Sequence, residues 1–235
     1  ADNSVKTITA DYFQPIKNGT LEIGLKITDS KTNNDVLWQQ LINSTWQTDF
    51  GKTNHFIYKE DVYASYINLL KNYKKLTVQA GLRFEATRSD GMSVTTNMKT
   101  VNKYCDFFPS VSFQYKPVKE QQISINYRKS IRRFGFDIIN PFIVTQGPYS
   151  YHQGNPYIKP SYFNSINVSW GYKNKLVIGA GFSAVKNPTS YGYRKYGNTD
   201  ASLGSWLNFS AGRLYNSNIS YTAKLFKGKW TSINS

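Results

Sequence analysis

The strongest constraint in this 235-residue chain is a two-residue hydrophobic alternation that returns along its whole length. LEIGLKI (21–27) puts Leu21, Ile23, Leu25 and Ile27 on one face and Glu22, Gly24 and Lys26 on the other, the period of an extended strand with one apolar side. VQAGLRFEA (78–86) sets Val78, Ala80, Leu82, Phe84 and Ala86 against Gln79, Gly81, Arg83 and Glu85. ISINYR (123–128) sets Ile123, Ile125 and Tyr127 against Ser124, Asn126 and Arg128, and INVSW (166–170) and ISYTAKL (219–225) repeat the pattern.

The connections sort by length. Short Lys-bearing turns at KNG (17–19), KNYKK (71–75), KPVKEQ (116–121), KNK (173–175) and KGK (227–229) alternate with long polar segments. The long segments run from DSKTNND to about residue 57, over 87–102, from about 132 to 161, and over 187–204. Strand, long loop, strand and tight turn in repetition predict an all-β, antiparallel up-and-down meander with tight turns on one rim and long loops on the other. Strands of about nine to eleven residues with an apolar outward face and a polar inward face suit a large transmembrane outer-membrane β-barrel. A soluble sandwich or barrel also alternates, with strands of about five or six residues and no sorting of loops by rim. Trp38, Trp46, Trp170, Trp206 and Trp230 lie near strand ends or in connections, where they form an interfacial girdle in the first case and cap a core in the second. Pattern alone favours the membrane barrel and leaves both open.

Composition narrows the function classes. Aromatic content of 16% with 18% charged residues suits one β domain. No window holds the roughly eighteen apolar residues of a membrane-spanning helix. Cys105 is the single cysteine and His55 and His152 are the histidines, so neither a disulfide framework nor a Cys/His zinc site is expected. The net charge of +15 attracts anions without choosing among them. Basic residues interleaved with tyrosines would suit single-stranded nucleic acid, but the module signatures of nucleic-acid binders are missing and no such partner is expected. The chain has no G-x-S-x-G elbow, Gly-rich phosphate loop or HExxH helix. GAGF (179–182) reads as small residues at a crowded strand position. Glu60 with Asp61, and Asp29 with Asp35, read as solvated charges, because no calcium loop surrounds them. An enzyme, a metal centre and a cofactor are not expected.

Five blocks occur in order: VQAGLRFEATRSDG (78–91), YCDFFPSVSFQYKP (104–117), INYRKSIRRFGFDIINPFI (125–143), PYSYHQGNPYIKPSYFNSINVSWGYKNK (148–175) and AVKNPTS (184–190). Together they resemble the consecutive barrel blocks of TonB-dependent receptors, and most closely the outer-membrane β-barrel family carrying GLRYE, FPS, NPF and GNPxLKPE-like blocks. The chain departs from that pattern at Ser161, where the family has Glu after Lys-Pro, and at Phe84, where Tyr is common.

The resemblance implies a barrel of about twenty-two strands with an internal plug, an energy-coupling box and a terminal aromatic. Residues 1–235 then form a partial β-barrel domain of nine strands, with a tenth beginning at Trp230, lacking the plug domain and the C-terminal strands. The implied function is energy-coupled uptake of a scarce nutrient across the cell outer membrane. The implied partners are outer-membrane lipid, the parent chain's plug domain, an inner-membrane energy-coupling protein reached through segments outside this chain, and a surface lipoprotein. The alternative is a soluble or scaffold-type β-sheet protein that binds carbohydrate or another anionic ligand without transport.

Within a barrel, Arg83, Glu85, Gln114, Asn126 and Arg128 would line the lumen, touching plug or substrate or simply pairing with one another. Arg132 and Arg133, at the start of a long loop, are candidates for an anionic ligand or lipid phosphate, since guanidinium groups bind oxyanions bidentately. PYSYHQGNPYIKP (148–160) is the stiffest connection. Pro148, Pro156 and Pro160 restrict its backbone, Gly154 is free to take a positive φ, and the segment is expected to leave the sheet until about Phe163. Tyr149, Tyr151, His152, Gln153 and Asn155 would face a ligand if the loop binds one; a fixed crossover over the barrel mouth is the favoured reading.

Overall fold

The computed structural model describes residues 1–173, 175–225 and 230–234. In chain order the strands are β1 (Asp2–Ile16), β2 (Gly19–Val36), β3 (Gln39–Ile42), β4 (Thr45–Thr48), β5 (Asn54–Asn72), β6 (Leu76–Ser93), β7 (Met98–Tyr115) and β8 (Gln121–Arg132). A short helix, α1 (Phe136–Ile139), precedes β9 (Ile143–Gly147), β10 (Ser150–Gln153), β11 (Ser161–Tyr172), β12 (Leu176–Lys186), β13 (Thr189–Lys195), β14 (Ser202–Asn208), β15 (Ala211–Leu225) and β16 (Trp230–Asn234). The main sheet has ten strands in the order β1-β2-β5-β6-β7-β8-β11-β12-β15-β16. Its neighbours pair antiparallel and in sequence order, which is the expected meander. The tenth strand does begin at Trp230.

Register turns the alternation into two surfaces, because residues paired across strands share a face. Val78 lies opposite Phe113, Phe113 opposite Ile125, and Ile125 opposite Val168. A second apolar row joins Ile23, Ile67, Leu82 and Pro109. The other face is built from small and amide groups: Gln79 opposite Ser112, Ser112 opposite Asn126, Asn126 opposite Asn167, and Asn167 opposite Gly181. A Cβ on Gly181 would collide with the Oδ1 atoms of Asn167 and Asn216, so the GAGF segment is small for the crowding that its strand position predicts. Arg83, Glu85, Gln114, Asn126 and Arg128 all share this polar face.

The apolar face is a belt with an edge. It runs over Leu21–Ile27, Tyr63–Leu69, Val78–Ala86 and Phe107–Phe113, and the next rung toward the long connections is Asp29, Asp61, Arg88 and Lys103. The strands continue past that rung. TRSDGMSVTTNMKTVN, expected as a long loop, is mostly strand, with β6 running to Ser93 and β7 starting at Met98. Both of its faces are polar, so it carries no alternation to read; its threonines and valine suit pairing once the neighbouring strand is in place. The 29–57 connection likewise shrinks to residues 37–53, where β3 and β4 form a hairpin.

The short turns adjoin one another along the opposite rim. The Asn72 amide donates to the Asn18 carbonyl (2.7 Å), the Lys116 amide to Lys75 (2.7 Å), the Lys173 amide to Glu120 (2.7 Å) and the Thr222 amide to Lys175 (2.7 Å). Asn18 and Lys173 adopt left-handed backbone conformations (φ 57° and 53°), which Asn tolerates well. Asn174 of the fourth turn, the whole KGK turn and the Trp230 side chain lie outside the described residues. Of the tryptophans proposed for a girdle, Trp170 sits on the apolar face near this rim, opposite Ile123 and Ile178. Trp38 and Trp46 belong to the 37–53 connection and Trp206 to β14 on the other side.

The buried core is not under the sheet but at its long-connection end. Phe56 and Tyr58 pack with Ile139 of α1 and Ile158, flanked by Phe134, Phe136, Ile138 and Trp206. Phe56 and Tyr58 have the parity of the polar face, so that face becomes apolar above the belt and receives the loops. Leu82→Arg or Ile125→Arg, in the middle of the belt, is expected to destabilise the folded barrel by about 2–4 kcal/mol. Asn126→Arg, on the other face of the same strand, should cost far less in the same urea-unfolding measurement in lipid vesicles.

Candidate functional site

The site lies where the sheet splits. The β7–β8 ladder runs only from Tyr115↔Ile123 to Ser110↔Arg128. Above it β7 pairs with β6, while β8 pairs with β11 up to Arg132↔Ser161. Side chains bridge the split. The Lys129 ammonium lies 3.7 Å from an Asp106 carboxylate oxygen and over the rings of Phe108 and Tyr162. The Tyr162 hydroxyl donates to the same carboxylate at 2.8 Å.

Just above, Arg133 is drawn onto the polar face. Its guanidinium donates to Glu85 and to the Thr87 hydroxyl (3.0 Å), and its Nε donates to the Tyr104 hydroxyl (3.1 Å). Glu85, itself buried, accepts a second charged hydrogen bond from Arg83 Nε at 2.6 Å. Charge-assisted bonds of this kind are the strong ones. Beyond them the Tyr58 hydroxyl donates to Glu60 at 3.1 Å. Burial pushes the Glu60 carboxyl above the ordinary carboxylate range, with Arg133 pulling it back. Burial and the Glu60 charge keep the Tyr58 phenol protonated far into the alkaline range. A cavity of about 390 Å³ opens between Tyr58, Glu60, Arg133, Lys159, Tyr162 and Lys186.

The roof is made of loops that form their own sheet. Four strands lie in the order β13-β14-β10-β9, and β10 pairs parallel with β14 through Ser150↔Ser202, Tyr151↔Leu203 and His152↔Gly204. The expectation that residues 148–160 leave the main sheet holds, but Ser150–Gln153 pairs as a strand in this second sheet. The prolines flank β10 and take no place in its ladder. Gly154 is not at a positive φ, which among the described glycines belongs to Gly197. It is glycine because the carbonyls of Ile138 and Asn140 approach where a Cβ would stand.

The sequence candidates divide in use. The Tyr151 ring packs, tilted, against that of Tyr196 with centroids 4.7 Å apart. His152 Nδ1 lies 2.7 Å from the Tyr191 hydroxyl. Gln153 donates to the Pro141 carbonyl (2.9 Å), and Asn155 donates to Trp206 (3.0 Å) and accepts from the Tyr157 amide (3.0 Å). These side chains hold the loop sheet together. Tyr149 instead is 71% exposed, and Tyr157 and Tyr193, which the sequence did not single out, are equally open. Arg133 and Glu85, drawn separately from the sequence, form one ion pair, whereas Arg132 turns away over the Phe163 ring. Asn126 accepts from Ser112 at 2.7 Å, and Arg128 borders a separate cavity with Ser165 and Asn167. Gln114 lies lower, opposite Ser124. Ser161 is 1% exposed and donates to the Asn187 carbonyl at 2.7 Å, a space that suits a hydroxyl. Tyr104, Asp106, Lys129 and Tyr162 were missed. Tyr104 and Asp106 follow from the pairing of β6 with β7, but Lys129 and Tyr162 reach the cluster only through the split.

This geometry is that of one wall of a membrane barrel with a structured mouth, and the comparisons agree. The family model for the outer membrane protein beta-barrel family matches residues 1–235. The chain belongs to that family. Its place is the outer membrane, with lipid against the apolar face. The barrel shares its fold with the copper transporter OprC, at 12% identity and a TM-score of 0.71 over 98% of this chain and 36% of that one. It also matches the ferric citrate transporter FecA in its unliganded form (14%, TM-score 0.62, 95% and 32% of the two chains). A third match is the ferric-catecholate import receptor Fiu of E. coli K12 (12%, TM-score 0.62, 96% and 36%). The chain thus spans about a third of the length of these structures. No curated protein matches it in sequence. The sequence blocks that resemble TonB-dependent receptors are therefore blocks of a real outer-membrane barrel wall.

Two outcomes test the cluster. Arg133→Ala leaves Glu85 buried with one partner, and removing one member of a buried pair costs about 3 kcal/mol or more. A thermal-unfolding cycle with Glu85→Ala should show the double variant losing less than the sum of the singles. Glu60 supplies a pH dependence. Because its carboxyl is raised in the folded state, folding takes up a proton between the ordinary carboxylate range and the raised value, and stability falls as pH rises through that window. Glu60→Gln should raise the unfolding temperature at neutral pH and leave it unchanged below the ordinary carboxylate range.

Proposed function

We propose that this chain is part of the barrel wall of a non-enzymatic, energy-coupled outer-membrane receptor that takes up a scarce nutrient. The observation that carries the reading is the pairing of a ten-stranded, one-sided polar wall with a roofed mouth whose interior charges are already matched. A barrel wide enough to contain this wall as a third of its chain has an open lumen unless something fills it. Fixed charges such as Arg83, Glu85 and Arg133 suit contact with an internal plug that must seal the lumen and yet move.

In this reading the short turns face the periplasm and the loop sheet faces outside. Ligand meets the exposed rings of Tyr149, Tyr157 and Tyr193 first and then the cavity beneath, where the Lys159 and Lys186 ammonium groups offer donors. The Arg133–Glu85 pair positions the floor of that cavity. The plug meets this wall from the lumen side, the inner-membrane energy-coupling protein acts through other segments of the receptor, and a surface lipoprotein partner would meet the loop sheet. Likeness to transporters for copper, ferric citrate and ferric catecholate supports uptake of a scarce metal or its complex as the first class to test.

A strain lacking the complete receptor, grown on single limiting sources of iron, copper, vitamin or glycan, should fail on one source and recover with the gene restored. Uptake of that source should stop when a protonophore collapses the inner-membrane potential. Uptake that continues unchanged under the protonophore would make the barrel a passive pore and overturn the reading.

A further inference from the structure

The Lys-bearing turns are used by nothing described so far. KNG, KNYKK, KPVKEQ, KNK and KGK hold one acid between them, Glu120, and it lies 3.5 Å from Lys173. Lys17, Lys74, Lys75, Lys116, Lys119 and Lys175 are exposed, and among the described residues none of them has an ion-pair partner. The first four turns are joined side by side by backbone hydrogen bonds, so these ammonium groups form one continuous collar. The opposite edge of the belt is different: there Arg88 and Lys103 share a rung with Asp29 and Asp61, and Asp90 pairs with Arg88.

What meets the collar is indicated by what lies next to it on the lipid face. Tyr115 is opposite Leu76 and Ile123, Trp170 opposite Ile123 and Ile178, and Tyr172 opposite Leu176, which is opposite Tyr221. Trp170 and Tyr172 stack at 6.0 Å, and the Lys173 ammonium sits 5.2 Å over the Tyr172 ring. Along the strands the order is apolar belt, aromatic ring, then ammonium groups. That is the order of a bilayer boundary: hydrocarbon, interface, headgroup phosphate. Unmatched cations spaced around a rim repel one another, and anionic headgroups beside them relieve that repulsion.

We infer that the short-turn collar binds anionic phospholipid headgroups of the leaflet it adjoins, and so fixes the depth of the barrel and selects its boundary lipid. Which leaflet this is follows from the orientation given above; the lipid preference does not depend on uptake.

The complete barrel that carries this segment, reconstituted in phosphatidylcholine bilayers with a trace of spin-labelled phosphatidylglycerol or spin-labelled phosphatidylcholine, reads the preference directly. Phosphatidylglycerol should be held in the motionally restricted shell about fivefold more strongly, the ratio that ~1 kcal/mol for a basic residue at an anionic surface corresponds to. The preference should fall toward parity in about 1 M salt, where screening is nearly complete. It should also fall in the combined variant Lys74→Gln, Lys75→Gln, Lys116→Gln, Lys119→Gln, and persist when the same four positions are Arg. Equal restriction of the two lipids by the unsubstituted barrel overturns the inference and leaves the collar to an acidic periplasmic protein. A preference that survives the Gln substitutions overturns it as well. If the Gln variant does not assemble, salt acting on the unsubstituted barrel decides, and a salt-insensitive preference counts against the collar. Loss of lipid selectivity with uptake intact, or the reverse, separates this inference from the transport reading.

Discussion

Everything in this structure depends on the antiparallel pairing of consecutive strands that joins β1 to β16. In a bilayer each unpaired backbone amide or carbonyl costs several kcal/mol, so a strand can cross only with hydrogen-bonded neighbours on both sides. The long strands, the tight turns that return the chain to the next strand, and the one-sided apolar belt all serve that requirement. β1 and β16 each present an outer edge without a partner in this sheet, and such edges are sites of further pairing. In a closed barrel they meet strands supplied from elsewhere.

The ladder is not uniform. β7 and β8 part company beyond Ser110 and Arg128, next to Pro109, which has no N–H to donate and lies opposite Leu82 at the height of the belt. The opening is held by side chains instead of ladder: Asp106 with Lys129 and Tyr162, and Glu85 with Arg83 and Arg133. A mouth braced in this way keeps its shape while exposing hydroxyls and ammonium groups to solvent. The loop sheet is braced by the same means. Asn208 donates to the Lys159 carbonyl (2.9 Å) and accepts from the Lys159 amide (2.8 Å), tying the 148–160 segment to the neighbouring loop. The Lys-Pro block that resembles the family pattern is thereby a structural clasp.

The two rims differ in charge as well as in length. The short-turn rim is almost purely cationic, and the long-connection rim mixes both signs. A barrel wall whose ends meet different surroundings would be built in this way, since the same aromatic-then-ammonium order would serve poorly beside the extended, water-exposed strands of the other rim.

The sequence by itself determined the strands inside the belt, their facing and the meander, because hydrocarbon on one side and a polar interior on the other impose a period of two that each strand displays without reference to its neighbours. Leu82, Ile125 and Val168 could be placed outward, and Arg83 and Asn126 inward, from that period alone. Beyond the belt both faces of residues 87–102 are polar, the period vanishes, and the sequence carries the marks of a loop where the structure has strand. Glu85 and Arg133 are 48 residues apart in the chain, and neither carries a local sign of the other. Only the tertiary structure, by ending the β7–β8 ladder and laying one loop across another, decided that these charges would neutralise each other while Tyr149, Tyr157 and Tyr193 stayed open to solvent.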